Sequence, residues 1–215
     1  MLLYKKSRIQ DKRLYLTFDD GPNPHATLAI LDILDKFRVK AAFFIVGRNI
    51  VRFPKMVKEI YTRGHIIGNH SFGHSALFSL YEPQAQKAEA KKIEDLLLDI
   101  GVSPCAYFRP PNALCTKKMM LALHNYKIVG TNHYVLDNLL FSSHAIASMI
   151  MLSVKSRGGG ILVLHDGTHD LFAFARKVIP KALNIMIPKL LSQEYKFFSL
   201  DEIVNSNVLI LPTSF

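Results

Sequence analysis

The 215-residue chain has no tryptophan and only two cysteines, Cys105 and Cys115. Two cysteines cannot staple a disulfide scaffold, and their spacing fits no zinc knuckle, so both read as reduced thiols within the fold. No stretch reaches the roughly 18 consecutive apolar residues that a membrane helix needs. The opening Met1-Leu2-Leu3-Tyr4-Lys5-Lys6 lacks the apolar core and small-residue cleavage site of a signal peptide, so a cytoplasmic location is expected. Acidic residues are scarce. Against 27 Lys and Arg stand 17 Asp and Glu, a formal charge of +10. That excess favours an anionic partner or surface, including a membrane surface. It does not favour nucleic acid, because the basic residues are scattered from Lys5, Lys6 and Arg8 through Lys91 and Lys92 to Lys117 and Lys118.

What is present is globular. Hydrophobic residues make up 49% and charged residues 20%, which excludes disorder and fibrous repeats. No repeat, linker or low-complexity tract divides the chain, so one domain over 1–215 is expected. Short apolar runs at 14–18, 41–46, 65–69, 107–108, 127–129 and 161–164 read as strands. Helical spacing fills 26–37, 54–63, 82–100, 117–125, 144–154 and 174–191, with Gly101 a natural cap and Pro180 and Pro188 expected to break or kink the last. Alternating strands and helices imply parallel pairing through right-handed crossovers, in an open sheet or a barrel. At this length a barrel would be small and incomplete, below the ~250 residues typical of a full one.

The reactive residues gather at the ends of these strands. Asp19 and Asp20 follow the first, with Gly21-Pro22 ending it. His70 and His74 follow the third, Arg109 follows Tyr107-Phe108, and His165 follows 161–164. C-terminal strand ends form the active face of parallel α/β folds, so the pattern reads as one site. Two histidines four apart, on a helical turn or a tight loop, have metal-ligand spacing. An Asp from another strand would complete three ligands with an open position, the arrangement of a catalytic zinc site. The remaining histidines, His25, His65, His124, His133, His144 and His169, read as structural or surface residues. Gly158-Gly159-Gly160 is a turn; no Lys-Ser/Thr follows it, so it is not a phosphate loop.

These residues carry a resemblance. Thr17-Phe18-Asp19-Asp20-Gly21-Pro22 resembles the first motif of the NodB-homology polysaccharide deacetylases, carbohydrate esterase family 4. His70-Ser71-Phe72-Gly73-His74 resembles the second, Arg109-Pro110-Pro111 the third and Leu162-Val163-Leu164-His165 the fifth, in family order across about 13–204. The resemblance implies a distorted, incomplete (β/α) barrel and removal of N-acetyl groups from amino sugars of a chitooligosaccharide, peptidoglycan, other glycan or glycolipid. It implies that Asp20, His70 and His74 hold a divalent metal, usually Zn2+. Asp19 would be the general base, kept ionised by Arg109, and His165 the general acid. A backbone N–H near Asn112 would stabilise the oxyanion, and Leu162 would line a pocket for the acetyl methyl.

The sequence departs from the pattern twice. Asn112 stands where the third motif usually ends in an aromatic, and the usual Asp-Trp of the fourth motif is best matched by Asp137-Asn138. Asp137 can still orient and charge-stabilise His165. Asn138 in place of an indole implies a wider, wetter pocket beside His165, unless Tyr134 or Phe141 supplies the missing ring. The rivals are an O-acetyl esterase or a deformylase of lipid-linked sugars, and a catalytically silent glycan-binding module. The intact acid–base set argues against silence.

Overall fold

The computed structural model describes residues 11–104, 106–137, 142–167, 178–203 and 210–211. Strand β1 (Arg13–Asp19) is central and buried from Leu14 onward. It is flanked by β2 (Ala41–Ile45) on one side and β7 (Gly160–His165) on the other, both parallel to it. The sheet continues through β3 (Ile66–Asn69), β4 (Tyr107–Phe108) and β5 (Lys127–Val129) at one end, and β6 (His133–Tyr134) at the other. Short β8 (Lys196–Phe197) pairs β1, and β9 (Ile210–Leu211) pairs β5 antiparallel.

Alternation along the strands creates two apolar layers. Leu14, Leu16, Phe18, Phe43, Ile45, Leu162 and Leu164 face the helices, and Phe18 stacks on Phe43 at 4.9 Å. Tyr15, Ala42, Phe44, Tyr107, Val129, Ile161 and Val163 fill the inner face. The sheet is curled: Arg109, just past β4, pairs with Asp19 on β1 at 2.6 Å, although β2 and β3 lie between. On a flat sheet those strands would stand about 14 Å apart. The expected incomplete barrel is therefore the observed architecture.

Helix α1 (Thr27–Phe37) buries Ile30, Leu31 and Leu34 and ends at Arg38 in the left-handed region. Helix α2 (Gly47–Arg52) leads into α3 (Pro54–Thr62), which starts on a proline, as a first turn allows. In α4 (Pro83–Asp99) Gln86, Ala90, Ile93 and Leu97 form the buried stripe, and Gly101 follows at φ 73°. Helices α5 (Lys117–Ala122) and α6 (Ser143–Arg157) begin on hydroxyl caps, where Thr116 and Ser142 accept the N–H groups of Met119 and Ala145. Helix α7 (Val178–Ser192) packs against α1 and α6.

The structure corrects several expectations. Helix α5 stops at Ala122, because 123–125 form a turn. Helix α7 runs through Pro188 without a break, and 174–177 lie outside the described residues. No proposed element covered α2, β6, β8 or β9. Cys115 is a free, half-buried thiol whose pKa burial pushes up to about 11, while Cys105 lies outside the described residues. Among the described residues no helix is long and apolar enough to cross a membrane.

Candidate active site

Asp19, Asp20, His70, His74, Arg109, Asp137 and His165 are all buried where β1, β3, β4 and β7 end. The loop after β3 is built by its own side chains. Asn69 Oδ1 accepts the Ser71 N–H at 2.9 Å, and Ser71 Oγ accepts the His74 N–H at 3.0 Å. These bonds satisfy a chain with Ser71 and His74 in the left-handed region, so the two imidazoles meet across a tight loop, not along a helical turn. Their ring centroids are 4.8 Å apart.

Asp20, His70 and His74 each offer one ligand atom, all within 4.8 Å of one another. His70 Nδ1 lies 2.7 Å from the Arg109 carbonyl. A carbonyl only accepts, so Nδ1 carries the proton and Nε2 presents a lone pair, the tautomer of a metal ligand. That lone pair faces Asp20 Oδ1 at 3.5 Å, and His74 Nε2 lies 3.0 Å from the same oxygen. Asp20 Oδ1 is buried and accepts no hydrogen bond among the described residues. A buried anion facing an imidazole lone pair calls for a cation between them, and an N, N, O set fits a divalent metal.

On one side of this triad, Arg109 reaches under the site. Its Nη1 donates to Asp19 Oδ1 at 2.6 Å and to Thr17 Oγ1 at 2.9 Å, and Nη2 donates to Gly130 O at 3.1 Å. The guanidinium also lies over the Phe44 ring at 4.1 Å. Burial pulls the Arg109 pKa down and Asp19 works against that pull; an arginine stays cationic regardless. On the other side, His165 Nδ1 lies 2.7 Å from Asp137 Oδ1, and the His165 N–H donates to Asp137 Oδ2 at 3.0 Å. Burial disfavours the imidazolium, but Asp137 first, then Asp20 and Asp19, overcome it, and the His165 pKa is raised.

Two expectations are corrected here. Leu162 lines no pocket at the inner face: it is 1% exposed in the layer beneath the helices. Strand alternation puts Val163, two before His165, on the inner face instead. The wider pocket beside His165 is overturned by Tyr134, whose ring stands edge-on to the imidazole at 6.0 Å. Asn138 and Phe141 lie outside the described residues. Asn112 is exposed, in a turn where it and Ala113 both have left-handed backbone.

Of the histidines set aside, His65 is buried and accepts the Ala41 N–H, with burial bringing its pKa down to about 4. His133 is buried against Ser153 Oγ and Gly159 O. His25, His124 and His144 are exposed, and His169 lies outside the described residues. Sequence reasoning offered Tyr134 as the substitute ring but missed the roles of Thr17, Asn49 and Asp166. Asn49 Nδ2 donates to Asp20 O at 2.8 Å, and Asp166 is fully buried beside Gly21. Only Asp166, the residue after His165 at a strand end, had a signal of its own.

Known proteins resemble this geometry and sequence. A peptidoglycan-N-acetylglucosamine deacetylase from Bacillus cereus is 30% identical over 90% of this chain and 89% of its own. A chitooligosaccharide deacetylase from Rhizobium leguminosarum biovar trifolii is 31% identical over 73% of each chain. A family 4 acetyl xylan esterase from Clostridium thermocellum, solved with a cobalt ion, superposes with a TM-score of 0.78 at 29% identity, covering 88% of this chain and 89% of that one. Residues 6–130, which include both aspartates, both histidines and Arg109, match the sequence pattern of the polysaccharide deacetylases, and the chain belongs to that family.

Proposed function

We propose that this chain is a metal-dependent hydrolase that removes N-acetyl groups from the amino sugars of a glycan. The carrying observation is the pair of charge partnerships flanking the triad, Arg109 with Asp19 and Asp137 with His165. A site that only bound sugar would need neither an acid nor a base. Asp20, His70 and His74 would hold the ion, with zinc the expected metal for this ligand set. When bound, it supplies Lewis acidity, acidifying a nearby water and polarising a carbonyl oxygen.

The chain's own residues divide the proton work. Arg109 pairs with Asp19 and orients its carboxylate to take a proton from the attacking water. His165 gives its proton to the departing amine nitrogen. Its Nδ1–H is committed to Asp137, which leaves Nε2 for the substrate. The C–N bond of the amide breaks, acetate forms and the sugar keeps a free amine. Asn112, in its strained turn next to the third motif, supports the reading of a backbone N–H offered to the oxyanion. The B. cereus and Rhizobium relatives favour peptidoglycan or chitooligosaccharide as the substrate class.

The acetyl xylan esterase likeness favours a second reading, O-deacetylation. The same acid–base pair would serve it, because an ester oxygen also leaves as a protonated group. Acetate release and product mass across N-acetylated chitooligosaccharides, peptidoglycan fragments and O-acetylated xylan separate the two. Free amine from the first two substrates is expected; acetate from xylan alone would overturn the proposal.

A further inference from the structure

We propose that Asp166 is a positioning residue for the Asp20 turn; this rests on the metal-binding reading above. Asp20 sits at φ 69°, a left-handed conformation that is unfavourable for an L-residue. Such a residue persists only where its surroundings hold it.

The end of β7 does the holding. The N–H groups of Asp166 and Gly167 both donate to Asp19 O, at 3.2 and 3.3 Å. Gly167 lies so close to the Asp20 carbonyl that a methyl there would overlap it. Gly21, the next residue of the turn, lies against the Asp166 carboxylate with no room for a methyl. That carboxylate is itself fixed. Its Oδ2 accepts from Thr27 Oγ1 at 2.6 Å, and the same hydroxyl accepts the Asn23 N–H at 2.8 Å. The Asn23 carbonyl in turn accepts the Thr27 N–H at 3.0 Å.

The Asp166 and Gly167 backbone thus holds the turn where it enters, at Asp19 and Asp20, while the Asp166 carboxylate packs against Gly21 and, through Thr27, fixes the turn where it leaves, at Asn23. His165 faces inward and Asp166 faces the start of α1, so Asp166 acts through Asp20 and not on substrate. Both Asp166 and Thr27 are 0% exposed. Enclosing a carboxylate is costly, and a residue that merely filled this space would not need one.

The test is a cobalt(II) titration read by the visible d–d spectrum, with a thermal melt in chelator alongside. Asp166→Ala should weaken cobalt binding about 10- to 100-fold and alter the spectrum. Thr27→Val should shift affinity in the same direction by less. Asp166→Asn keeps the bulk beside Gly21 and an acceptor for Thr27, so it should stay close to wild type. A purely structural Asp166 would lower the melting temperature and leave affinity alone. The proposal is overturned if Asp166→Ala and Thr27→Val both bind cobalt within about twofold of wild type. If Asp166→Ala fails to fold, Thr27→Val decides by the same criterion. Wild type that binds no cobalt would overturn the metal reading, and this inference with it.

Discussion

Replacing Asp137 with asparagine isolates the charge behind His165 while keeping the shape of the contact. The imidazole and carboxylate join at 2.7 Å, so their charge centres stand about 4 Å apart. At an effective dielectric of about 20 the attraction is about 4 kcal/mol as an upper bound. Asparagine still accepts the Nδ1–H bond, so only the charge is lost, and the His165 pKa should fall. The His165 pKa is raised in the folded protein, and without Asp137 burial pulls it down. A general acid must be protonated, so the alkaline limb of the kcat/KM profile should move to lower pH. Turnover at neutral pH should fall about 10²- to 10³-fold. Stability gives an independent check. A raised histidine pKa stabilises the fold fully below the unfolded value and loses that contribution as pH rises through the folded one. The Tm deficit of Asp137→Asn should therefore be largest below about pH 6 and shrink in alkaline buffer. An unchanged alkaline limb, measured by acetate release, would refute the assignment of His165 and Asp137 as an acid with its charge partner.

His74→Ala should abolish metal content and activity together, whereas Asp19→Asn should retain metal and lose most turnover; metal analysis beside a rate assay separates ligand from base. Tyr134→Ala removes the ring that stands at 6.0 Å from His165 and should lower kcat/KM on short chitooligosaccharides about tenfold, with metal content unchanged. Gly21→Ala forces a methyl into the Asp166 carboxylate and should cost about 1–3 kcal/mol, visible as a lower urea midpoint.

The central sheet was legible because its strands are buried on both faces and therefore read as unbroken apolar runs. Residues 14–18 and 161–164 are of that kind, and they became β1 and β7. Helix α4 was legible from a stripe of buried positions closed by Gly101. Helix α2 was not, because six residues with two arginines and an asparagine leave only Gly47 and Ile50 buried, too few for a period. Strands β6, β8 and β9 have two residues each and exist through their partners alone. Pro188 shows the opposite case: the residues around it in α7, Met186, Ile187 and Leu190, are buried, and that packing keeps the helix intact past a breaker.

The candidate site was legible as a set of residues but not as a set of partnerships. Asp19 and His165 occupy matched positions on adjacent parallel strands, so their backbones are direct neighbours. A carboxylate and an imidazole in that relation could bond to each other, which would commit both to one another and leave neither free for the attacking water or the departing amine. Here each is drawn away by a third residue. Arg109 crosses from β4 to Asp19, which only the curl of the sheet permits, and Asp137 reaches His165 from the segment after β6. A period of two in the sequence shows which residues end strands. It does not show that β4 bends round to β1, nor that the Tyr134 ring stands against His165. Curvature decides which charge meets which, and it sets the Arg109–Asp19 and Asp137–His165 pairs side by side at the ends of two neighbouring strands.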